Sequence, residues 1–217
     1  MKKNCLEIVR EKCEKCTACA LAKTRNNVVF SDGDPSTARI VLIGEAPGEM
    51  EDETGRPVVG RAGQLLNDFL AEAGISRDKD VYVINTVKCR PPENRVPSDE
   101  EKASCRKFLD AQITIVNPSA IVLCGATALK SFVELDKKQT ISKVRGQWMN
   151  ITVDGKEYRA ITIFHPSYLL RNHSMEEGSP RRLMQEDLAN IKNTIMPDVC
   201  HVDNNIFAAK SEEIVMA

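Results

Sequence analysis

Apolar residues fall along this chain in blocks of two kinds. Ile40-Val41-Leu42-Ile43, Val81-Tyr82-Val83-Ile84 and Ala120-Ile121-Val122-Leu123-Cys124 are unbroken runs rich in β-branched residues, the pattern of strands buried on both faces of a parallel sheet. Between them lie blocks at helical spacing. Leu65, Leu66, Phe69, Leu70 and Ala73 form one, stopped by Gly74, and Ser98-Asp99-Glu100-Glu101 opens a second that runs to about Ile115. Ala126 to Leu135 forms a third, and 180–195 a fourth with Leu183, Leu188, Ile191 and Ile195 inward. Trp148–Thr152 and Tyr158–Phe164, joined by Asp154-Gly155, read as a hairpin whose second limb is another strand of the sheet. Residues 1–12, with Leu6 and Val9 among charged neighbours, read as a short amphipathic helix, and Val28-Val29-Phe30 with Ser31-Asp32-Gly33-Asp34-Pro35 as a strand end and turn. Strands alternating with helices predict an α/β fold.

The ends of these strands carry the chemistry. The first opens into Gly44-Glu45-Ala46-Pro47-Gly48-Glu49-Met50-Glu51-Asp52 and then the glycine-punctuated Thr54-Gly55-Arg56-Pro57-Val58-Val59-Gly60-Arg61-Ala62-Gly63, at the edge where open α/β sheets bind ligands. Its glycines let backbone N–H groups approach a ligand or phosphate, and a helix beginning near Gly60 aims its positive end at the same place. The same composition also describes an ordinary polar connection. The second strand ends at Asn85, whose amide offers a donor and an acceptor to a pyrimidine edge or simply caps the strand. The hairpin limb ends at His165-Pro166-Ser167-Tyr168-Leu169-Leu170-Arg171, a histidine suited to acid–base chemistry beside an inserting wedge. His173 and His201 lack that setting.

Composition narrows the picture. At 217 residues one domain over 1–195 with a tail over 196–217 is expected. Thirty Lys and Arg against 31 acids give a net charge of −1, so any surface for nucleic acid must be local. No stretch resembles a signal peptide or a membrane span, which predicts a soluble, cytosolic protein with no membrane partner. In a reducing compartment the eight cysteines point to metal before disulfides. Cys13-x2-Cys16-x2-Cys19 offers one more sulfur than a pair needs, and Cys89 and Cys105 bracket the basic, proline-rich loop after Lys88. Two sulfurs from each place make a four-thiolate site stapling distant segments; spacing does not choose between zinc and an iron–sulfur cluster. Cys124 reads as plain core.

Together, Gly44-Glu45-Ala46-Pro47-Gly48 with Glu51-Asp52, Thr54-Gly55-Arg56-Pro57, Val59 to Leu66, Asn85, Lys88-Cys89-Arg90-Pro91-Pro92 and His165 to Arg171 closely resemble the family 4 (thermostable-type) uracil-DNA glycosylases. The likeness runs from Cys16 to about residue 195. It implies a three-layer α/β/α sandwich with a central four-stranded parallel sheet. It also implies a structural [4Fe–4S] cluster held by Cys16, Cys19, Cys89 and Cys105, with Cys13 an extra cysteine in register and a Cys13–Cys16 pair as an alternative. The implied reaction is base flipping and hydrolysis of the uracil N-glycosidic bond. Asn85 would read the uracil edge, His165 would lie beside the departing O2, and Glu45 would position or activate water and stabilise the sugar cation. Gly44, Ala46, Pro47, Gly48, Asp52, Val58, Gly60 and Arg61, the Arg90–Pro97 loop, and Ser167 with a Leu169-Leu170-Arg171 wedge would hold substrate. The implied partner is single- or double-stranded DNA containing uracil, bound by a monomer. No lysine nucleophile is needed, which implies a monofunctional enzyme. Family members usually stack a Phe on the flipped base where this chain has Val58. That departure sustains a rival expectation, a non-catalytic iron–sulfur DNA-binding module of the same fold.

Overall fold

The computed structural model describes residues 1–136 and 139–197. Strands β1 (Ile40–Gly44), β2 (Val81–Asn85), β3 (Ala120–Cys124), β4 (Trp148–Val153) and β5 (Lys156–Ile163) form one sheet in the order β2-β1-β3-β5-β4. Around it run α1 Lys2–Glu14, α2 Glu49–Thr54, α3 Arg61–Glu72, α4 Arg77–Asp80, α5 Asp99–Val116, α6 Ala126–Lys130, α7 Ile141–Val144, α8 Pro166–Leu169 and α9 Pro180–Ile195. The four expected parallel strands are β2, β1, β3 and β5. The sheet has a fifth, β4, because the first hairpin limb pairs antiparallel along the β5 edge. Asp154 and Gly155 turn that hairpin with φ of 47° and 75°, the two left-handed residues a type I′ turn needs.

Every residue of β1, β2 and β3 is buried, which is why their sequences do not alternate. Successive side chains instead enter two different cores. Val41, Ile43, Tyr82, Ile84, Ile121 and Leu123 pack with Leu6 and Cys13 of α1 and with Phe108, Leu109, Ile113 and Val116 of α5. Ile40, Leu42, Val81, Val83, Val122 and Cys124 pack on the other face with Leu66, Phe69 and Leu70 of α3 and with Met184, Leu188 and Ile191 of α9. The result is the three-layer sandwich. Cys124 is core, as its strand position suggested.

Two boundaries differ from expectation. The helix after β3 ends at Lys130 rather than Leu135: the Ser131 hydroxyl donates back to the Thr127 carbonyl, and Arg106 donates to the Ser131 carbonyl, so polar groups take the acceptors a longer helix would use. Val28–Phe30 forms no strand; the chain there runs along β2, where Asp32 and Val83 exchange both backbone hydrogen bonds. Met196 still packs in the α3–α9 core, and residues 198–217 of the expected tail lie outside the described residues. Among the described residues no helix is long and apolar enough to cross a membrane.

The segment leading from α7 into the hairpin is fastened to the last helix by charge. Arg145 donates through Nε to Asp187 at 2.7 Å and also through Nη2, and the Asp187 carboxylate is 2% exposed. Removing one partner of a buried pair costs about 3–5 kcal/mol, because the other charge is left in a dry site. Asp187→Ala is therefore expected to lower the unfolding free energy by roughly that amount in urea denaturation. A loss below about 1 kcal/mol would class the pair with exposed ones.

Candidate active site

The carboxyl ends of β1, β2 and β5 meet in a cleft of about 240 Å³ lined by Glu45, Ala46, Pro47, Gly48, Glu51, Val58, Ala62, Gly63, Asn85, Pro91, Asn94, Arg95, His165 and Ser167. Parallel strands open toward the same edge, so residues far apart in the chain arrive together. Three of them carry the chemistry.

Asn85 ends β2 and is 2% exposed, and its Nδ2 has no hydrogen-bond partner. A buried donor without a partner costs about 1–3 kcal/mol and marks a place where something else is meant to accept. Its Oδ1 sits over Gly44, where a Cβ would come within 2.4 Å. Gly44 therefore holds the amide by having no side chain.

His165 follows β5 and N-caps α8. Its Nδ1 accepts the Ser167 backbone N–H at 3.2 Å and lies 2.7 Å from the Ser167 hydroxyl. A ring nitrogen that accepts a backbone N–H carries a lone pair, so the neutral ring bears its proton on Nε2. Burial pushes the imidazole below its ordinary 6.5, and Glu45 and Glu51 pull it back only in part. Behind the ring Gly125 adopts φ 93°, and a Cβ there would stand 3.0 Å from the His165 Cβ.

Glu45 leaves β1 into the loop. The Thr127 hydroxyl donates to its Oε2, and the Thr86 hydroxyl donates to its backbone carbonyl. One carboxylate oxygen is thus fixed from α6 while the other is left to the cleft.

Glu51 builds the wall around them. Its Oε2 accepts the Gly48 N–H at 3.0 Å, and its Oε1 accepts those of Val59 and Gly60 at 2.9 and 3.0 Å. This draws the Val58 segment over the cleft. Val58 itself has φ 55°, a conformation that costs a β-branched residue on the order of 1–3 kcal/mol. Its carbonyl presses on Gly63, where a Cβ would meet the oxygen at 2.0 Å. On the opposite side Arg95 is held by the Glu101 carboxylate at 2.7 and 2.9 Å, which itself closes the Ser98 capping box of α5.

Of the residues singled out in the sequence, Glu45, Ala46, Pro47, Gly48, Val58, Asn85, His165 and Ser167 line the cleft. Gly44 supports Asn85 from below, Gly60 caps α3 on Glu51, and Arg61 is exposed on α3. Two assignments are corrected. Asp52 is 1% exposed and faces away from the cleft, accepting the backbone N–H groups of Asn26 and Asn27 at 3.0 to 3.1 Å; it ties the N-terminal segment to α2. Leu169 is fully buried in the α3–α9 core and is no wedge, since a helix places neighbouring residues on different faces. The half-buried Leu170 keeps a place at the surface, and with it Tyr168, 41% exposed, and the exposed Arg171 are what the loop presents. Sequence reasoning missed Glu51 as an organiser, although it stands in the motif, and gave no sign of Thr127, whose partner is 82 residues away.

The second cluster lies at one end of the α1–α5 core, where Cys13, Cys16, Cys19, Cys89, Cys105 and the fully buried Lys88 line one small cavity. Lys88 donates Nζ to the Asn85 carbonyl at 2.7 Å, and Arg25 donates to the Cys89 sulfur at 3.1 Å. Burial pushes the Cys13 thiol up to about 12 and that of Cys105 to about 11, so these sulfurs keep their protons unless a metal takes the proton's place. Among the described residues no three His, Cys, Asp or Glu side chains form a group that could hold a single metal ion. The donor set itself, soft sulfurs from three chain segments beside two cations, has the chemistry that a thiolate-ligated metal or iron–sulfur group requires.

Comparison with known proteins agrees with this arrangement. Residues 30–189 match the family model described as the uracil DNA glycosylase superfamily. The chain is 54% identical over 193 residues to a type-4 uracil-DNA glycosylase of Thermotoga maritima, covering 88% of this chain and 94% of that one. It is 35% identical to a type-4 uracil-DNA glycosylase of Saccharolobus solfataricus over 94% of this chain and 93% of that one. A type-5 uracil-DNA glycosylase of Pyrobaculum aerophilum shares 30% over only 61% of this chain and 62% of its own, which sets the type-4 likeness apart.

Because Asp52 serves backbone groups outside the cleft, Asp52→Ala is expected to cost about 1–3 kcal/mol of stability. Substrate affinity should change little. A raised KM with an unchanged melting temperature would return Asp52 to the binding surface.

Proposed function

The chain belongs to the type-4 branch of the uracil-DNA glycosylase superfamily, and we propose that Asn85, His165 and Glu45 are the groups with which it hydrolyses the N-glycosidic bond of uracil in DNA, leaving an abasic site. The observation that carries this reading is the unpartnered Nδ2 of Asn85, buried in the same cleft as the other two. A flipped uracil gives that donor its O4 as acceptor, and the Asn85 Oδ1 can accept a hydrogen bond from the uracil N3–H. As the bond between C1′ and N1 lengthens, negative charge spreads onto uracil O2. The neutral His165 ring, donating from Nε2, lowers the free energy of that charge without first needing a proton from solvent. Glu45, with one oxygen fixed by Thr127, orients the attacking water and offers its charge to the oxocarbenium-like sugar. The departing uracil anion takes a proton from solvent, and the water leaves its hydroxyl on C1′ while its other proton passes to the Glu45 carboxylate and from there to solvent.

Arg95 lines the cleft mouth with a cationic group suited to a DNA phosphate. Cys16, Cys19, Cys89 and Cys105 would hold a [4Fe–4S] cluster, which when bound supplies a covalent staple between the segment after α1, the Lys88 loop and α5. Nothing in the cleft or among the relatives favours the non-catalytic reading that Val58 suggests.

The test is release of free uracil from a labelled single-stranded oligonucleotide. The native protein should release it, and Glu45→Ala/His165→Ala should bind the DNA without doing so; equal release by both would remove these residues from the mechanism. Base–aromatic stacking is worth ~1–3 kcal/mol per base, so Val58→Phe is expected to speed excision about tenfold or more. Unchanged kinetics would place stacking elsewhere. The acid limb of kcat/KM should inflect below pH 6.5, because the working ring is the neutral one and burial lowers its pKa from that value. In His165→Asn, which keeps a donor but does not titrate, the inflection should move to lower pH; an unmoved limb would assign it to another group.

A further inference from the structure

Five cysteine sulfurs line a cavity for which the cluster reading above needs four. We propose that Cys13 is a reserve ligand, able to take over an iron of the cluster when Cys16 lets go. The proposal rests on that four-cysteine reading and goes beyond it.

The geometry favours this pair. Cys13 occupies the last turn of α1, and the Cys16 N–H donates to the Cys13 carbonyl at 3.0 Å, so one tight turn brings the two side chains to the same cavity. Removing Cys16 from Cys13-x2-Cys16-x2-Cys19 leaves two sulfurs from the same segment, still beside Cys89 and Cys105. Their exposure differs. Cys13 is 2% exposed, whereas Cys16 and Cys19 are only half-buried, so oxidants and chelators reach Cys16 before Cys13. With Leu6, Cys13 is one of the two buried residues of α1, and the helix thereby keeps the spare sulfur against the cavity instead of in solvent. Packing alone would be served by any small apolar residue there.

The exchange is balanced. The bond between iron and the Cys16 sulfur breaks, one between the same iron and the Cys13 sulfur forms, and the proton of the Cys13 thiol passes to the Cys16 thiolate. No electron moves, and no outside reagent is consumed.

The test uses the full-length protein purified without oxygen, with iron and acid-labile sulfide measured on native protein, Cys13→Ser, Cys16→Ser and Cys13→Ser/Cys16→Ser. Cys13→Ser should carry native iron, Cys16→Ser at least about half of it, and the double variant almost none. A Cys16→Ser protein as poor in iron as the double variant would overturn the proposal, as would loss of iron from Cys13→Ser alone, which would make Cys13 a standing ligand. A second measurement does not depend on Cys16→Ser folding. The visible absorption of the cluster, followed in excess chelator, should fade several-fold faster in Cys13→Ser than in native protein, and equal rates would overturn the idea. Native protein that contains no iron would instead overturn the four-cysteine reading itself.

Discussion

β1 is paired on both sides by parallel strands and buried on both faces, and this constraint shapes everything around it. A strand so enclosed has no lateral surface to give to a ligand. Its only opening is its carboxyl end, and parallel partners open at the same edge. Glu45, Asn85 and His165 stand one residue past β1, at the end of β2 and two residues past β5, so the register of the sheet brings three polar groups together. The hydrophobic effect that buries the strands thus also sets the spacing of the site.

Fixing those groups falls to polar contacts that cross the layers. Glu51 gathers three backbone N–H groups and bends the Val58 segment over the cleft, Thr127 reaches from α6 to Glu45, and Ser167 sets the tautomer of His165. In a site shielded from water each such bond is stronger than at the surface. The strained backbone at Val58 is tolerated because Glu51 over-determines its neighbours. Nδ2 of Asn85, a buried donor left open in the cleft, is then conspicuous beside these satisfied groups.

The cysteine corner is joined to the cleft through Lys88, whose buried ammonium sits among the sulfurs and donates to the carbonyl of Asn85. A buried polar nitrogen needs an acceptor, and the Asn85 carbonyl supplies it. The corner also anchors the loop that carries Arg95 into the cleft. A displacement of Lys88 would therefore be felt at the recognition amide as well as among the sulfurs.

Much of this was legible in the chain. The unbroken apolar runs announced β1, β2 and β3 because burial on both faces removes alternation, and the Gly44–Gly63, Asn85 and His165 segments marked the ligand edge because strands of that kind end there. What the sequence could not decide is orientation within an element. Asp52 and Leu169 stand inside the recognisable motifs, yet one turns back to Asn26 and Asn27 and the other into the α3–α9 core. Thr127 carries no local signal, since its importance comes from a partner that only folding brings near. Sequence by itself determined which residues could be buried and which chemistry was present, since those depend on side-chain type and local period. Tertiary structure decided which polar groups share the cleft, because a hydrogen bond is made over about 3 Å regardless of separation along the chain.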